Sequence, residues 1–294
     1  MAHPRVRRIE IVDLVDRIVR AGGPRLAPVE PMGHGAVGAW LVRWPDGHRG
    51  VLTWAPPRPP DAGPGGLDQT LTLVEAARSA GQPAPRYEAV VPLPAGDVAI
   101  VQELAAGVPV TGPVGPRLVD HVLELAERRR RVLHGHPLAG EASSLSLRAD
   151  GPGYCLHGPL ADHDHRSRGL RERIEEIGAE PGADELRGAD LVHFDYHLGN
   201  VLVDAARGDR VSAIVDWDGA RAGDVGLDLA ILAFDLSRRA PELAHRVERR
   251  LLDTTDRRDV RRFWAHAALR MVDWSLRHHP EHVEHWLAVA PRYL

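Results

Sequence analysis

The chain has 294 residues, of which 44% are hydrophobic and 27% charged, and its formal net charge is −4. Such a chain can bury a sizeable core as one large domain or two lobes, which excludes a disordered polymer. The mildly acidic balance argues against a general nucleic-acid binder, and no apolar run approaches the roughly 20 residues needed to span a bilayer.

Residues 5–20 carry Ile9, Val12, Val15 and Ile18 at helical spacing and stop at Gly22-Gly23-Pro24, which predicts a lead-in helix packed on a small lobe. Glu10 and Asp13 interrupt any signal-peptide core behind the basic start, so cytoplasm is the expected location. Ala39 to Trp44, the turn Pro45-Asp46-Gly47 and Val51 to Trp54 predict two paired strands. Gly33, Gly35 and Gly38 precede them and would let backbone amides approach phosphates, although a plain β-turn accounts for the same glycines. Residues 55–66 read as loop. Asp68 is expected to cap a helix that turns Leu71, Val74 and Ala77 inward and ends at Gly81. Tyr87 to Val91 and Val98 to Leu104 predict two more strands, and the lobe boundary is set after Leu104.

From Gly115 the pattern turns helical, and the run Arg128 to Arg131 reads as a solvated helix face. Residues 137–168 read as loop with a short helix at most, with His163 and His165 in solvent, and Leu170 to Ile177 predicts a helix ended by Gly178. The single cysteine, Cys155, reads as an idle thiol. Helices are expected from Leu227, over Pro241 to Leu252 and over Val260 to Arg277, the last with Phe263, Ala267, Met271 and Trp274 on a core stripe. His278, His279, Glu281, His282 and His285 imitate a metal cluster but read better as a surface helix.

The chemistry concentrates in His193-Phe194-Asp195-Tyr196-His197-Leu198-Gly199-Asn200, followed by an apolar run and, sixteen residues past Asn200, by Asp216-Trp217-Asp218. Phosphoryl transfer needs one carboxylate to position a substrate hydroxyl, and an amide oxygen with a second carboxylate to hold magnesium on the phosphates. Asp195 fits the first role; Asn200 and Asp216 fit the other two. The turn-rich residues 205–210 predict a hairpin that brings those two ligands together.

These motifs resemble the aminoglycoside phosphotransferase and choline kinase family, whose pattern is His-Gly-Asp-x-His-Pro-Gly-Asn, then Ile-Asp-Trp-Glu/Asp, then Gly-Asp-Pro-x-x-Asp-Leu-Ala. The last reads here Gly223-Asp224-Val225-Gly226-Leu227-Asp228-Leu229-Ala230, and Phe194 and Leu198 stand where the family has Gly and Pro. The resemblance implies a two-lobed α+β protein-kinase-like fold. Residues 1–104 would form a small antiparallel β lobe with one main helix, and residues 105–294 a larger helical lobe, with the active site between them. It implies transfer of the γ-phosphoryl of ATP or GTP, with Mg²⁺, to a hydroxyl of a small antibiotic- or metabolite-like acceptor.

In that frame Asp195 is the catalytic base and His193 belongs to the catalytic loop as its brace. Asn200 and Asp216 hold the metal, and Asp218 adds a ligand or orients one. Asp224 and Asp228 hold the loop backbone. Gly33, Gly35 and Gly38 cover the nucleotide, and Gln102, Glu103 and Leu104 form the hinge that reads the base, left by way of Ala106-Gly107. One departure is chemical: all 37 basic residues counted as Lys or Arg are arginine. Thr53 stands where such enzymes place a third-strand lysine, Gln69 and Thr70 stand where its helix glutamate is expected, and Arg43 is the candidate substitute, although a plain surface arginine accounts for it equally well. A nucleotide-binding pseudokinase or regulatory module is therefore the alternative function. A metal hydrolase built on His193, Asp195 and His197 is a lesser one. Between Glu172 and Asp190, seven carboxylates face two arginines; a cationic acceptor would suit them, and a solvated helix explains them more simply.

Overall fold

The computed structural model describes residues 10–32, 38–55, 66–94 and 96–294. Contacts divide the chain into two compact units, Met1–Gly63 with Pro85–Ala106, and Pro64–Ala84 with Gly107–Leu294.

The first unit holds helix α1 (Ile11–Arg20) and strands β1 (Ala27–Met32), β2 (Ala39–Arg43), β3 (Arg49–Ala55), β4 (Tyr87–Pro92) and β5 (Val98–Glu103). They form one antiparallel sheet in the order β1-β2-β3-β5-β4. Helix α1 buries Ile11, Leu14 and Ile18 in one cluster with Val42, Leu52, Trp54, Ala99 and Val101. The inward stripe therefore differs from the one expected: Val12 is 66% exposed, and Ile9 lies outside the described residues. Strand β1 is unexpected, because Pro28 and Pro31 disguise it. An edge strand needs only half its amides for pairing, and this one carries a register shift between Pro28 and Glu30.

Register fixes what the other face of the sheet presents. Leu41 pairs with Val51, Arg43 with Arg49, Val51 with Gln102 and Thr53 with Ile100. Since strand side chains alternate, Leu41, Arg43, Val51, Thr53, Ile100 and Gln102 share the face away from α1.

The second unit begins with α2 (Leu67–Ser79). This corrects the expected division, which put that helix with residues 1–104 and the boundary after Leu104. The reason is local bonding. Helix α2 packs on the turn Trp217–Gly219, the Gln82 amide donates to Leu125 O at 2.9 Å, and Ile214 N donates to Pro83 O at 2.9 Å. The helix is capped at Gly66, with Asp68 in its first turn, where a carboxylate favours the helix dipole. Gly107, at φ +118°, opens the rest of the unit; a Cβ there would collide with Ser212 Oγ and Val203 O, so only glycine fits.

The elements that follow are β6 (Val108–Pro109), α3 (Pro116–Glu127), β7 (Ser143–Ser144), α4 (His157–His163), α5 (His165–Gly178), β8 (Glu185–Leu186) and β9 (Asp190–Val192). Helix α5 starts five residues before the expected Leu170, because Asp164 and Ser167 form a reciprocal capping box. Next come the hairpin β10 (Val201–Val203) and β11 (Val211–Ile214), then β12 (Arg221–Gly223), which pairs with β9. The helices α6 (Gly226–Arg239), α7 (Pro241–Thr254), α8 (Arg257–His278) and α9 (Val283–Val289) complete the unit. Helix α6 is buried from Gly226 to Ser237 and packs on α7 and α8. Helix α8 is capped by the Asp256 carboxylate, which accepts from the amides of Arg258 and Asp259 at 3.0 Å. Among the described residues, no helix is long and apolar enough to cross a membrane.

Candidate active site

The loop after β9 is held from below by one carboxylate. Asp228, fully buried on α6, accepts from His193 N at 2.8 Å and from Phe194 N at 2.9 Å. His193 is also fully buried. Its Nε2 lies 3.0 Å from Val215 O and its Nδ1 accepts from Asp195 N at 3.3 Å, which sets the proton on Nε2. Burial and the nearby Arg129 push its pKa down to about 3, so the ring stays neutral. Both ring nitrogens are committed to the backbone. His193 braces the loop and does not serve as a base or a metal ligand, which removes the metal-hydrolase reading.

Phe194 takes φ +71°, the left-handed conformation that glycine adopts freely. This explains the glycine of the family pattern. The phenyl ring holds the strained backbone by packing, with the Arg221 guanidinium 3.9 Å from its centroid and the His266 ring at 5.0 Å. Phe194→Ala should cost about 3–5 kcal/mol, because it keeps the backbone strain and empties the core site. Phe194→Gly should cost less, since it returns about 1 kcal/mol of strain. Thermal melts should rank wild type above Gly and Gly above Ala; an Ala variant as stable as Gly would show that φ carries no strain. Leu198 has its own account. Its amide donates to buried Asp235 at 3.1 Å, a bond that the family's proline could not make.

Asp195 is the partly exposed carboxylate of the loop. Its Oδ1 lies 2.8 Å from Arg270 Nη2 and 3.3 Å from His197 Nε2, and its Oδ2 lies 3.3 Å from the Asn200 amide nitrogen. Burial alone would raise its pKa, but Arg270 and His197 hold it well below the usual carboxylate range. Burial opposes a charge on His197, and Asp195 outweighs it and raises the pKa of the ring. The Gly199 amide lies 3.0 Å from His197 Nδ1, which turns Nε2 toward Asp195. The carboxylate is thus ionised and fixed in direction.

Asn200 spends its amide nitrogen on Asp195, at 2.9 Å from the carbonyl oxygen. That leaves its side-chain oxygen for a cation. Val215 N donates to Asn200 O at 2.9 Å, which ties the end of β11, and so Asp216, to the loop. Asp216 sits at φ +64° and is exposed, as is Asp218 two residues on. Packed protein and the neighbouring carboxylates of Asp195 and Asp218 push its pKa up to about 6. Oxygen donors crowded with negative charge fit a hard divalent ion such as Mg²⁺. Asn200 and Asp216 would hold it, with Asp218 beside them, and its charge would offset that of the phosphates.

A different grouping occurs at the surface, where ligand atoms of His279, Glu281 and His282 lie within 4.8 Å of one another. Two imidazoles and one carboxylate do not make the oxygen set that magnesium prefers, and the expected magnesium ligands are not among them.

In the first unit, Gly33 and Gly35 lie outside the described residues, and Gly38 takes φ +81°. Thr53 is half-buried, and its Oγ1 is enclosed without a hydrogen bond among the described residues. Arg43 is not brought to it. It pairs with Arg49, four residues along β3 from Thr53, a separation of roughly 13 Å at strand rise, so Arg43 does not replace the missing lysine there. Gln102 and Glu103 end β5, with Leu104 just beyond; the Glu103 carboxylate accepts from Arg86 N and Nε, both at 3.2 Å.

Three functional residues escape the sequence reading. Arg129, expected in solvent with its neighbours, is fully buried; it sits 3.0 Å from Asp228 and its guanidinium lies 4.0 Å from the Tyr196 centroid. Asp235 holds the loop at Leu198, whereas Asp224, expected to hold it, accepts from Gly226 N at 2.7 Å at the start of α6. Arg270 arrives from α8, where His266, Arg270 and Asp273 form a polar row at helical spacing within the otherwise apolar stretch Phe263 to Trp274. That row was the available signal. The expected core stripe omits it, and Met271 and Trp274 of that stripe are only half-buried.

The family model described as the phosphotransferase enzyme family matches residues 29–264. A search of curated proteins finds no match. Among solved structures, a thermostable mutant of aminoglycoside phosphotransferase APH(4)-Ia in its apo form is 17% identical with a TM-score of 0.65, covering 94% of this chain and 96% of that one. A further variant of that enzyme, in ternary complex with AMP-PNP and hygromycin B, is 16% identical with a TM-score of 0.61 and coverages of 95% and 97%. Aminoglycoside phosphotransferase APH(3'')-Id from Streptomyces rimosus, with ADP and streptomycin, is 17% identical with a TM-score of 0.51 and coverages of 89% and 98%. At such identities the likeness is one of fold, the protein-kinase-like fold, while the family match spans most of the chain and includes every residue of the catalytic loop and hairpin. The chain belongs to the phosphotransferase enzyme family.

Proposed function

We propose that the protein is a small-molecule kinase that transfers the γ-phosphoryl group of ATP or GTP to a hydroxyl of a small acceptor in the cytoplasm. The observation that carries this reading is the convergence of Asp195, Asn200 and Asp216 on one hydrogen-bonded loop and hairpin. Asp195 would orient the acceptor hydroxyl and take its proton as the oxygen bonds the γ-phosphorus and the nucleoside diphosphate leaves. Its low pKa suits a late proton transfer to a loose transition state, in which positioning does most of the work. Solved relatives of the same fold hold AMP-PNP with hygromycin B and ADP with streptomycin, which supports a nucleotide donor and a small acceptor.

The test is mass spectrometry of an acceptor panel incubated with Mg-ATP and Mg-GTP, seeking the mass gain of one phosphate. One observation favours the second reading, a nucleotide-binding pseudokinase: the chain has no lysine, and Thr53, where the resemblance would put it, has an enclosed hydroxyl without a hydrogen bond among the described residues. Nucleotide binding without transfer to any acceptor or to water would select it.

Asp216→Ala should weaken nucleotide affinity in magnesium by about tenfold or more and leave it unchanged in EDTA, as the loss of one charged ligand implies. Calorimetric titration under both conditions checks this. An equal loss in both would mean damage to the fold and would remove Asp216 from the metal.

A further inference from the structure

We propose that Arg270 sets the acceptor class: the site selects hydroxyl acceptors that carry an anionic group near the reacting hydroxyl, such as hydroxy acids and acidic sugars, and disfavours polycationic amino sugars. The inference rests on the kinase reading of Asp195. An acceptor hydroxyl must come within about 3 Å of the Asp195 carboxylate to be oriented by it. Arg270 Nη2 already sits 2.8 Å from Oδ1 of that carboxylate, so a hydroxyl held by Oδ1 lies within about 6 Å of a fixed positive charge. A carboxylate one or two bonds away from the hydroxyl reaches the guanidinium; an ammonium in the same place meets it as a like charge.

The surroundings reinforce the sign. Arg270 is held against the Tyr154 ring, its guanidinium 4.6 Å from the centroid, and its Nη1 is enclosed without a hydrogen-bond partner among the described residues. A planar donor fork with spare N–H groups is suited to a planar carboxylate. The nearest acidic groups on the same helix and beneath the loop are already engaged. Asp273 is fully buried and paired with Arg277 at 2.7 Å, and Asp235 accepts from Leu198 N. Four of the seven carboxylates between Glu172 and Asp190 are likewise engaged. Glu175 pairs with Arg171 at 3.2 Å, Glu176 with Arg173 at 2.9 Å and Glu180 with Arg261 at 2.5 Å, while Asp190 accepts from Arg131 N at 2.8 Å. Asp216 and Asp218, the acidic residues on the hairpin side of the loop, are those assigned to the metal.

The experiment compares three acceptor sets with wild type, Arg270→Gln and Arg270→Lys. The sets are hydroxy acids (glycerate, gluconate, glucuronate), their uncharged counterparts (glycerol, glucose) and the polycations hygromycin B and streptomycin. Both phosphate transfer and calorimetric binding are read, with melting temperature as the check on folding. Wild type should favour an acid over its neutral counterpart by about 10- to 100-fold, Gln should erase that preference, and Lys should retain part of it. Transfer to a polycation in preference to every acid, or a preference unchanged in Arg270→Gln, overturns the proposal and leaves the kinase reading standing. Arg270-dependent binding of an acid without transfer sustains the anion site and removes the kinase reading. Failure of every acid to bind or to be phosphorylated overturns the proposal outright.

Discussion

Asp195→Asn should lower the rate of phosphoryl transfer by about 10²- to 10⁴-fold, the range for losing a positioned base, while Mg-nucleotide affinity stays within about twofold. The substitution keeps the shape of the side chain and removes only the charge. The loop keeps its other anchors, since Asp228 still accepts from His193 N and Phe194 N and Asp235 still accepts from Leu198 N. What changes is local. Arg270 and His197 lose their shared counter-charge, and an amide nitrogen must face either Arg270 or the Asn200 amide, both of which are donors. Arg270 is 16% exposed, so water can solvate part of the uncompensated charge and the fold should survive with a lowered melting temperature. Steady-state turnover beside a melting curve and a nucleotide titration makes the check. Turnover near the wild-type rate in a folded variant would take Asp195 out of the mechanism.

The parts of the site that can be read from sequence are those whose chemistry lies in short, fixed spacings. Asp195 and Asn200 lie five residues apart on one loop, and the two short runs that become β10 and β11 alternate with a turn between them. The spacing alone is enough to bring Asp216 near Asn200, as the Val215 N to Asn200 O bond shows. Phe194 illustrates a subtler limit. Its departure from glycine is visible in sequence, but the φ +71° that makes glycine suitable there belongs to the folded backbone.

Long-range partners are hidden for a different reason: their identity depends on which helix face meets the loop. Arg129 lies in a run of four arginines, and nothing in the run distinguishes the one that is buried. A charge is buried only where an opposite charge awaits it, and Asp228 lies 99 residues further along the chain. Arg270 and Asp195 are 75 residues apart and equally silent in sequence, apart from the polar row on α8. In the first unit the small sheet is mostly legible from alternation. Strand β1 is hidden by its prolines, and the grouping of α2 with the second unit depends on bonds made by Gln82 and Ile214.

Asp228→Ala should destabilise the protein by about 3–5 kcal/mol, a large share of the roughly 5–15 kcal/mol by which domains are stable. Three losses act together. The amides of His193 and Phe194 lose their acceptor in a buried place, and Arg129, itself fully buried, keeps its charge without a partner. Removing one member of a buried pair costs far more than replacing both, because the survivor carries the desolvation penalty alone. The double variant Arg129→Met/Asp228→Asn should therefore be more stable than the sum of the single losses implies, with a coupling of about 1–3 kcal/mol. Met keeps an unbranched stem against the Tyr196 ring, whose centroid lies 4.0 Å from the guanidinium it replaces, and Asn retains one acceptor oxygen for the loop amides. Urea melts of wild type, Arg129→Met, Asp228→Asn and the double variant complete the cycle, with Asp228→Ala measured beside them. Additive losses would show that the two charges do not stabilise one another and would leave Asp228 with the loop amides alone; a loss below about 1 kcal/mol for Asp228→Ala would refute the assignment of that residue as the anchor of the catalytic loop.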